Sequence, residues 1–204
     1  MSTVIQTESG DSLIKAPPGK KRSTASKNAI ISATYEMLVE QGFKNLTIEG
    51  VAARAGVGKA TIYRWWPSKG ALAVEAFLIH VTPSIDYTST GSARRDIGLQ
   101  MRRLVQAFAG PSGRIVREML ATGQFEDETL EMFKKGFLEP RRLAAKKILL
   151  DGVEQGEFKP DFDTEIIIDA LYGPIHHRLM TRRDATDEVF LCTLERMVLD
   201  TIAQ

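Results

Sequence analysis

The chain is 204 residues long, 43% hydrophobic and 26% charged, with a formal net charge of +1. That balance belongs to a folded globular protein and excludes wholesale disorder, and no apolar run approaches the roughly 18 residues of a membrane span. A single cysteine, Cys192, excludes an internal disulfide, agrees with a reducing compartment and, among apolar neighbours, reads as a buried, inert thiol.

The first twenty residues lack a basic start followed by an apolar h-region, so no secretory signal is expected and the predicted location is the cytoplasm. Residues 1–22 are polar, contain Pro17, Pro18 and Gly19, and end in Lys20-Lys21-Arg22. They read as a disordered basic arm, either a solvated tail or a segment that touches DNA. Charge is divided unequally beyond it. Residues 20–70 hold nine Lys or Arg against three Glu, a balance of +6 that leaves −5 for the remainder. A basic module joined to an acidic one suits a protein that lays one end on a polyanion.

From Ser26, apolar positions such as Ile30, Ala33, Met37, Leu38 and Phe43 recur at helical spacing, and Gly42 supplies a C-terminal glycine. Two short helices are predicted next, at 48–55 and 59–65, separated by Gly56-Val57-Gly58; Thr47 caps the first and Pro67 stops the second. Ser68 caps a fourth helix that runs to about His80, and Pro83, Ser84 and the stretch from Thr88 to Gly91 mark a loop. These signals divide a helix-turn-helix domain with its connecting helix, residues 23–80, from a body at 81–204. The body carries further helical periodicity near 93–109, 113–122, 126–152, 163–182 and 187–203, with a break at Arg183-Asp184 and no strand-like alternation. The fold class is all-α, with about nine helices and no internal repeat.

The informative stretch runs from Thr47 to Lys69. Two helices joined by a short glycine turn cross steeply, and the second can then lie in a DNA major groove. Ala52, Ala53 and Ala55 permit close approach, Gly56 can take positive φ, and Val51, Val57 and Ile62 fill the space between the helices. The second helix presents Lys59, Thr61, Tyr63 and Arg64 for phosphates and base edges. Trp65 and Trp66 are read either as two core residues or as one packing residue and one that meets DNA. Gly56-Val57-Gly58-Lys59 also looks like the end of a phosphate-binding P-loop, but Ala53 and Ala60 stand where that loop needs Gly and Ser or Thr, and no strand precedes it.

The run from Ser26 to about Ala73 resembles the DNA-binding domain of the TetR family: a long first helix, an Ala-rich turn ending in Ala55-Gly56-Val57, then Thr61-Ile62-Tyr63-Arg64 and a closing Pro67-Ser68-Lys69. The resemblance implies a homodimer, a double-stranded DNA operator and a small, partly apolar effector held in the body. It implies DNA contacts from Thr47, Lys59, Ala60, Thr61, Tyr63, Arg64, Trp65 and Lys69, with Tyr63 and Lys69 as phosphate clamps. Trp65 departs from the family, where His is frequent, and Gly70 departs from its usual Glu, which leaves the fourth helix less well capped.

Bulky apolar residues of the body read first as core, and the resemblance makes a subset of them a ligand pocket: Met101, Leu104, Phe108, Met119, Phe133, Phe137, Tyr172 and His176. Pro174 is expected to kink or unravel one turn of its helix near His176 and His177. Those two histidines are adjacent, about 100° apart on a helix, so no metal site is expected, and no cofactor is implied. The resemblance assigns a dimer interface to the last two helices: Ile175 and Leu179 on the first of them, and Phe190, Leu191, Leu194, Met197 and Val198 on the apolar stripe of the last. Two rivals stand beside this reading. One is an enzyme, against which there is no nucleotide loop, nucleophile motif or recognisable catalytic set. The other is a nucleoid-associated DNA-binding dimer without an effector, which would have a body packed solid.

Overall fold

The computed structural model of the chain describes residues 18–181 and 186–204. Most of the predicted arm, residues 1–17, and the predicted break at Arg183-Asp184 lie outside the described residues.

Among the described residues the chain forms nine helices. The head consists of α1 (Pro18–Gln41), α2 (Ile48–Ala55), α3 (Lys59–Tyr63) and the connecting α4 (Lys69–Val81). The body consists of α5 (Ala93–Phe108), α6 (Pro111–Gly123), α7 (127–154), α8 (Thr164–Thr181) and α9 (Glu188–Leu199). The long α7 is two α-helical stretches, Asp127–Phe133 and Glu139–Glu154, joined by a π-helical turn at Lys134–Leu138. Pro140 offers no N–H to the helical ladder, and the turn that precedes it widens.

Local chemistry explains most boundaries. Thr47 accepts the Gly50 N–H at 3.1 Å, Ser68 that of Ala71 at 3.1 Å, and Asp187 that of Phe190 at 2.9 Å, each capping the helix that follows. Gly42, at φ +81°, ends α1. The first helix starts at Pro18, ahead of the predicted start, because proline's fixed φ and missing N–H suit the first helical position.

In the head, α1 packs against α2 and α4, and α2 against α3. Ile30, Leu38, Phe43, Val51, Ile62 and Leu72 are fully buried there, each contributing about 1.5–3 kcal/mol of hydrophobic stabilisation. In the body, α5 and α8 pack against α7 and against α9. The C-terminal residues pin the loop after α7: Lys159 N–H donates to the Ile202 carbonyl at 2.8 Å and Phe158 bridges to Ala203. The head sits on the body through α4, which lies along α7.

Two expectations are corrected. Pro174 unravels no turn of α8, which runs unbroken from Thr164 to Thr181 with Leu171 and Ile175 buried on either side of it. Cys192 is exposed rather than buried, its thiol bonded to Glu188 at 3.1 Å, since it falls off the inward side of α9. Ser68 caps α4 as expected, and Gly70, in a first turn without an acidic residue, makes room for α7. A methyl group at Gly70 would collide with Thr129 Oγ1.

Candidate functional site

The turn between α2 and α3 closes as its glycines require. Gly56 adopts φ +66°, its N–H and that of Val57 reach back to the Ala53 and Ala52 carbonyls, and Ile62 is driven inward to full burial. That rotation leaves Lys59, Ala60, Tyr63 and Arg64 exposed on the outside of α3, with Thr61 half-buried between them. Thr47 is exposed at the start of α2, its hydroxyl engaged as the cap.

The two tryptophans separate. Trp66 is 2% exposed and donates its indole N–H to Glu75 Oε2 at 2.7 Å, while Lys27 pairs with Glu75 Oε1 at 2.9 Å. Trp65 is 40% exposed, with the Arg64 guanidinium 5.7 Å from its ring centre. Lys69 is half-buried and lies 4.6 Å over the Phe43 ring. Lys59 pairs with Glu49 at 3.0 Å; that hydrogen bond raises the lysine's pKa and lowers the carboxylate's. Arg54 is neutralised by Glu40, so part of the head's positive balance is spent within the head itself.

The body contains a cavity of about 280 Å³ between α5, α6, α7 and α8. Leu104, Leu120, Phe137, Leu138 and Ile168 give it apolar walls. Four of the eight residues predicted for a ligand pocket reach it: Leu104, Phe137, Tyr172 and His176. The other four, Met101, Phe108, Met119 and Phe133, are not among its lining residues and are buried in the core around it. Phe133 stacks on Phe137 at 4.9 Å, and Phe108 stands 6.3 Å from both Phe137 and His176.

The cavity's polar groups were largely missed from the sequence. Tyr87, in the loop before α5, and Tyr172 share a hydroxyl–hydroxyl hydrogen bond at 2.8 Å. Burial pushes the Tyr87 phenol up to about 12 and raises Tyr172 well above its ordinary range, so both are neutral. Burial lowers the pKa of His176, against an opposing hydrogen bond to the Tyr172 carbonyl at 2.9 Å. Because that carbonyl can only accept, Nδ1 carries the proton and Nε2 is left an acceptor.

Two lining residues have unmet hydrogen-bonding capacity. Gln100 is 1% exposed and its Oε1 has no partner. Arg141 donates Nη1 to the Phe137 carbonyl at 3.1 Å and lies 4.1 Å over the Phe137 ring, while its buried Nε and Nη2 have no partner. Burial lowers its pKa, only partly offset by Asp86 and Tyr87. Its neighbour Arg142, also at the cavity, is satisfied by Glu165 and Asp169. A signal for Arg141 did exist. It occupies the same i, i+4 row of α7 as Phe137, Ala145 and Leu149, all three buried.

The head is held to the body by polar and steric contacts that the sequence did not disclose. Arg114 of α6 donates to the Val39 carbonyl at 2.6 Å, completing the C-terminal turn of α1 with a cation where the helix dipole favours one. Glu118, one turn further along α6, accepts the Lys44 N–H at 3.1 Å and crowds Gly42. On the other side, Thr129 fits against Gly70 and Leu78 against Gly136.

The stripe predicted for dimerisation divides. Ile175 and Leu191 are buried inside the subunit, and Leu179, Phe190, Leu194 and Val198 are half-buried against its core. Met197 is 68% exposed and shares an outward row of α9 with Val189, 75% exposed. Arg102 of α5 braces the helix through Glu188 and Glu195.

Comparison with known proteins agrees with this arrangement. The family description "Bacterial regulatory proteins, tetR family" matches residues 30–76 and "Tetracyclin repressor-like, C-terminal domain" matches residues 88–198. The chain is similar to the uncharacterized HTH-type transcriptional regulator YdeS of Bacillus subtilis, 35% identical over 173 residues that cover 85% of this chain and 87% of the relative. It is 24% identical to the HTH-type transcriptional regulator AqdR of Rhodococcus erythropolis over 155 residues, 76% of this chain and 74% of AqdR. Among solved structures, the TetR family transcription regulator SCO0332 superposes with a TM-score of 0.77 at 31% identity, covering 88% of this chain and 99% of that one. A basic helix-turn-helix head, a helical body and these likenesses together make the chain a member of the TetR family of transcriptional regulators.

Proposed function

We propose that the protein acts in the cytoplasm as a homodimeric repressor that binds a near-palindromic operator and leaves it when a small molecule occupies the body cavity. The observation that carries the reading is the pairing of an exposed polar row on α3 with a cavity behind it, joined by close packing of α4 on α7. In this reading Lys59, Ala60, Thr61, Arg64 and Trp65 meet the major groove, and Thr47, Tyr63 and Lys69 hold phosphates. Two copies joined through α8 and α9 set their recognition helices about 34–36 Å apart, one turn of DNA. Met197 and Val189 form the outer part of that interface, flanked by the half-buried Phe190, Leu194 and Val198.

Ligand occupancy changes operator affinity only through its preference for one of two conformations, and a hundredfold switch requires close to 3 kcal/mol of such preference. Movement of α7 reaches the head at Gly70, and movement of α6 reaches it at the α1 terminus through Arg114 and Glu118. An effector-free nucleoid protein has no use for a cavity lined by unsatisfied polar groups, and this favours the ligand-controlled reading.

The test is selection of bound duplexes from a random DNA pool by the purified protein at a stated, near-physiological salt concentration. An enriched palindrome is the expected result. A folded, dimeric protein that enriches nothing would overturn sequence-specific recognition in favour of non-specific binding.

A further inference from the structure

We infer that the ligand of the body cavity is a small organic acid, its carboxylate held side-on by Arg141. The inference rests on the ligand-controlled reading above and names the chemistry of that same site. Nε–H and Nη2–H lie along one edge of a guanidinium and point in parallel, the geometry that receives both oxygens of a carboxylate. Those are the two groups of Arg141 left buried and without a partner, while Nη1, at the opposite end, is already occupied by the Phe137 carbonyl.

The Phe137 ring, 4.1 Å from the guanidinium carbon, and the Phe137 carbonyl on Nη1 hold the guanidinium in place. A buried cation is unfavourable unless closely paired; Asp86 and Tyr87 offset the burial of Arg141 only in part, and it forms no ion pair among the described residues, in contrast to Arg142 beside it. The remaining walls suit the rest of such a molecule. They are apolar at Leu104, Phe137 and Ile168, and Gln100 Oε1 offers an unused acceptor to a hydroxyl or amine on the ligand. Ligand pockets run from about 300 to 1,000 Å³, so a volume of about 280 Å³ selects a single ring or a medium chain rather than a large conjugate.

The test is calorimetric titration of the full-length protein with octanoate and 3-phenylpropanoate, and with the primary amide of each. Each acid is expected to bind at least about tenfold more tightly than its amide. Arg141→Gln should abolish that preference while amide affinity changes little, with Arg141→Met as the second variant and far-UV circular dichroism as the check on folding. Amides that bind as well as the acids overturn the inference, as do a preference that survives both variants and a folded protein that binds none of the four probes. Operator release separates this from the parent reading. Amides that bind and release the selected operator while acids do neither remove the acid and keep the effector. Acids that bind with the expected preference but leave the operator complex intact keep the anion site and remove its regulatory role.

Discussion

Head and body are built from the same element, the amphipathic helix, and differ in how they treat buried polar groups. In the head, Trp66 has Glu75, the fully buried Thr34 hydroxyl has the Ile30 carbonyl at 2.7 Å, and the helix starts of α2 and α4 have Thr47 and Ser68. In the body, Arg141 and Gln100 keep buried atoms without partners beside an open cavity. Buried polar groups are normally paired, because leaving one unmet costs about 1–3 kcal/mol. The head's buried polar groups are thus met, with Arg114 and Glu118 of α6 completing the end of α1, whereas the body holds back part of its interior, as suits a rigid reading module and a responsive sensing module.

The comparison breaks most readily at Trp66. Trp66→Ala should cost the head about 3–5 kcal/mol, since it empties a fully packed site and strips Glu75 of its indole donor. Denaturation followed by Trp65 fluorescence should show the head melting first and operator binding lost, with ligand binding by the body retained. A single transition displaced as a whole would show that head and body unfold together.

The body's polar pairs provide a second, smaller test. Tyr172→Phe leaves the buried Tyr87 hydroxyl without its partner and should destabilise by about 1–3 kcal/mol. Adding Tyr87→Phe should recover part of that loss, a non-additivity measurable by urea denaturation of the two single variants and the double variant.

His176 makes the body sensitive to pH in a defined direction. Burial holds its pKa below the usual histidine value, so as pH falls the unfolded chain takes up the proton first. The stability this histidine contributes is complete above the unfolded value of about 6.5 and is lost as pH falls from there through the lower folded value. His176→Gln should flatten the dependence of the urea midpoint on pH between about 7.5 and 5.5.

The smallest effect is expected at the surface of the head. Glu49→Gln frees Lys59 from its ion pair and removes a negative charge from the face assigned to DNA. Operator affinity should rise by a few-fold at low salt, and the gain should shrink as salt increases, as for any exposed charge. Unchanged affinity at every salt concentration would place Glu49 and Lys59 away from the DNA.

The head was the more legible region because its logic is local. Thr47, Gly56 and Ser68 act within a few residues of their own positions, so spacing alone located α2, the turn and α4. The exposed face of α3 followed once Ile62 was turned inward. The body was legible as helices but not as a cavity. Leu104, Phe137, Tyr172 and His176 line the cavity, yet Met101, Phe108, Met119 and Phe133 have the same chemistry and periodicity and are packed in the core. Periodicity identifies an inward side. It does not say whether the space that side faces is filled.

The amino-acid sequence by itself determined the all-α class, the division into a basic head and an acidic body, and the turn that presents α3, since helical spacing, capping and net charge are properties of neighbouring residues. Only tertiary structure decided that Gly70 is a seat for Thr129, that Arg114 completes α1 from another helix, and that Arg141, a residue of the cavity wall, keeps two buried donors unmet. Each depends on which helix lies against which, and a side chain's partners across such a contact are set by packing over distances that leave no trace in local spacing.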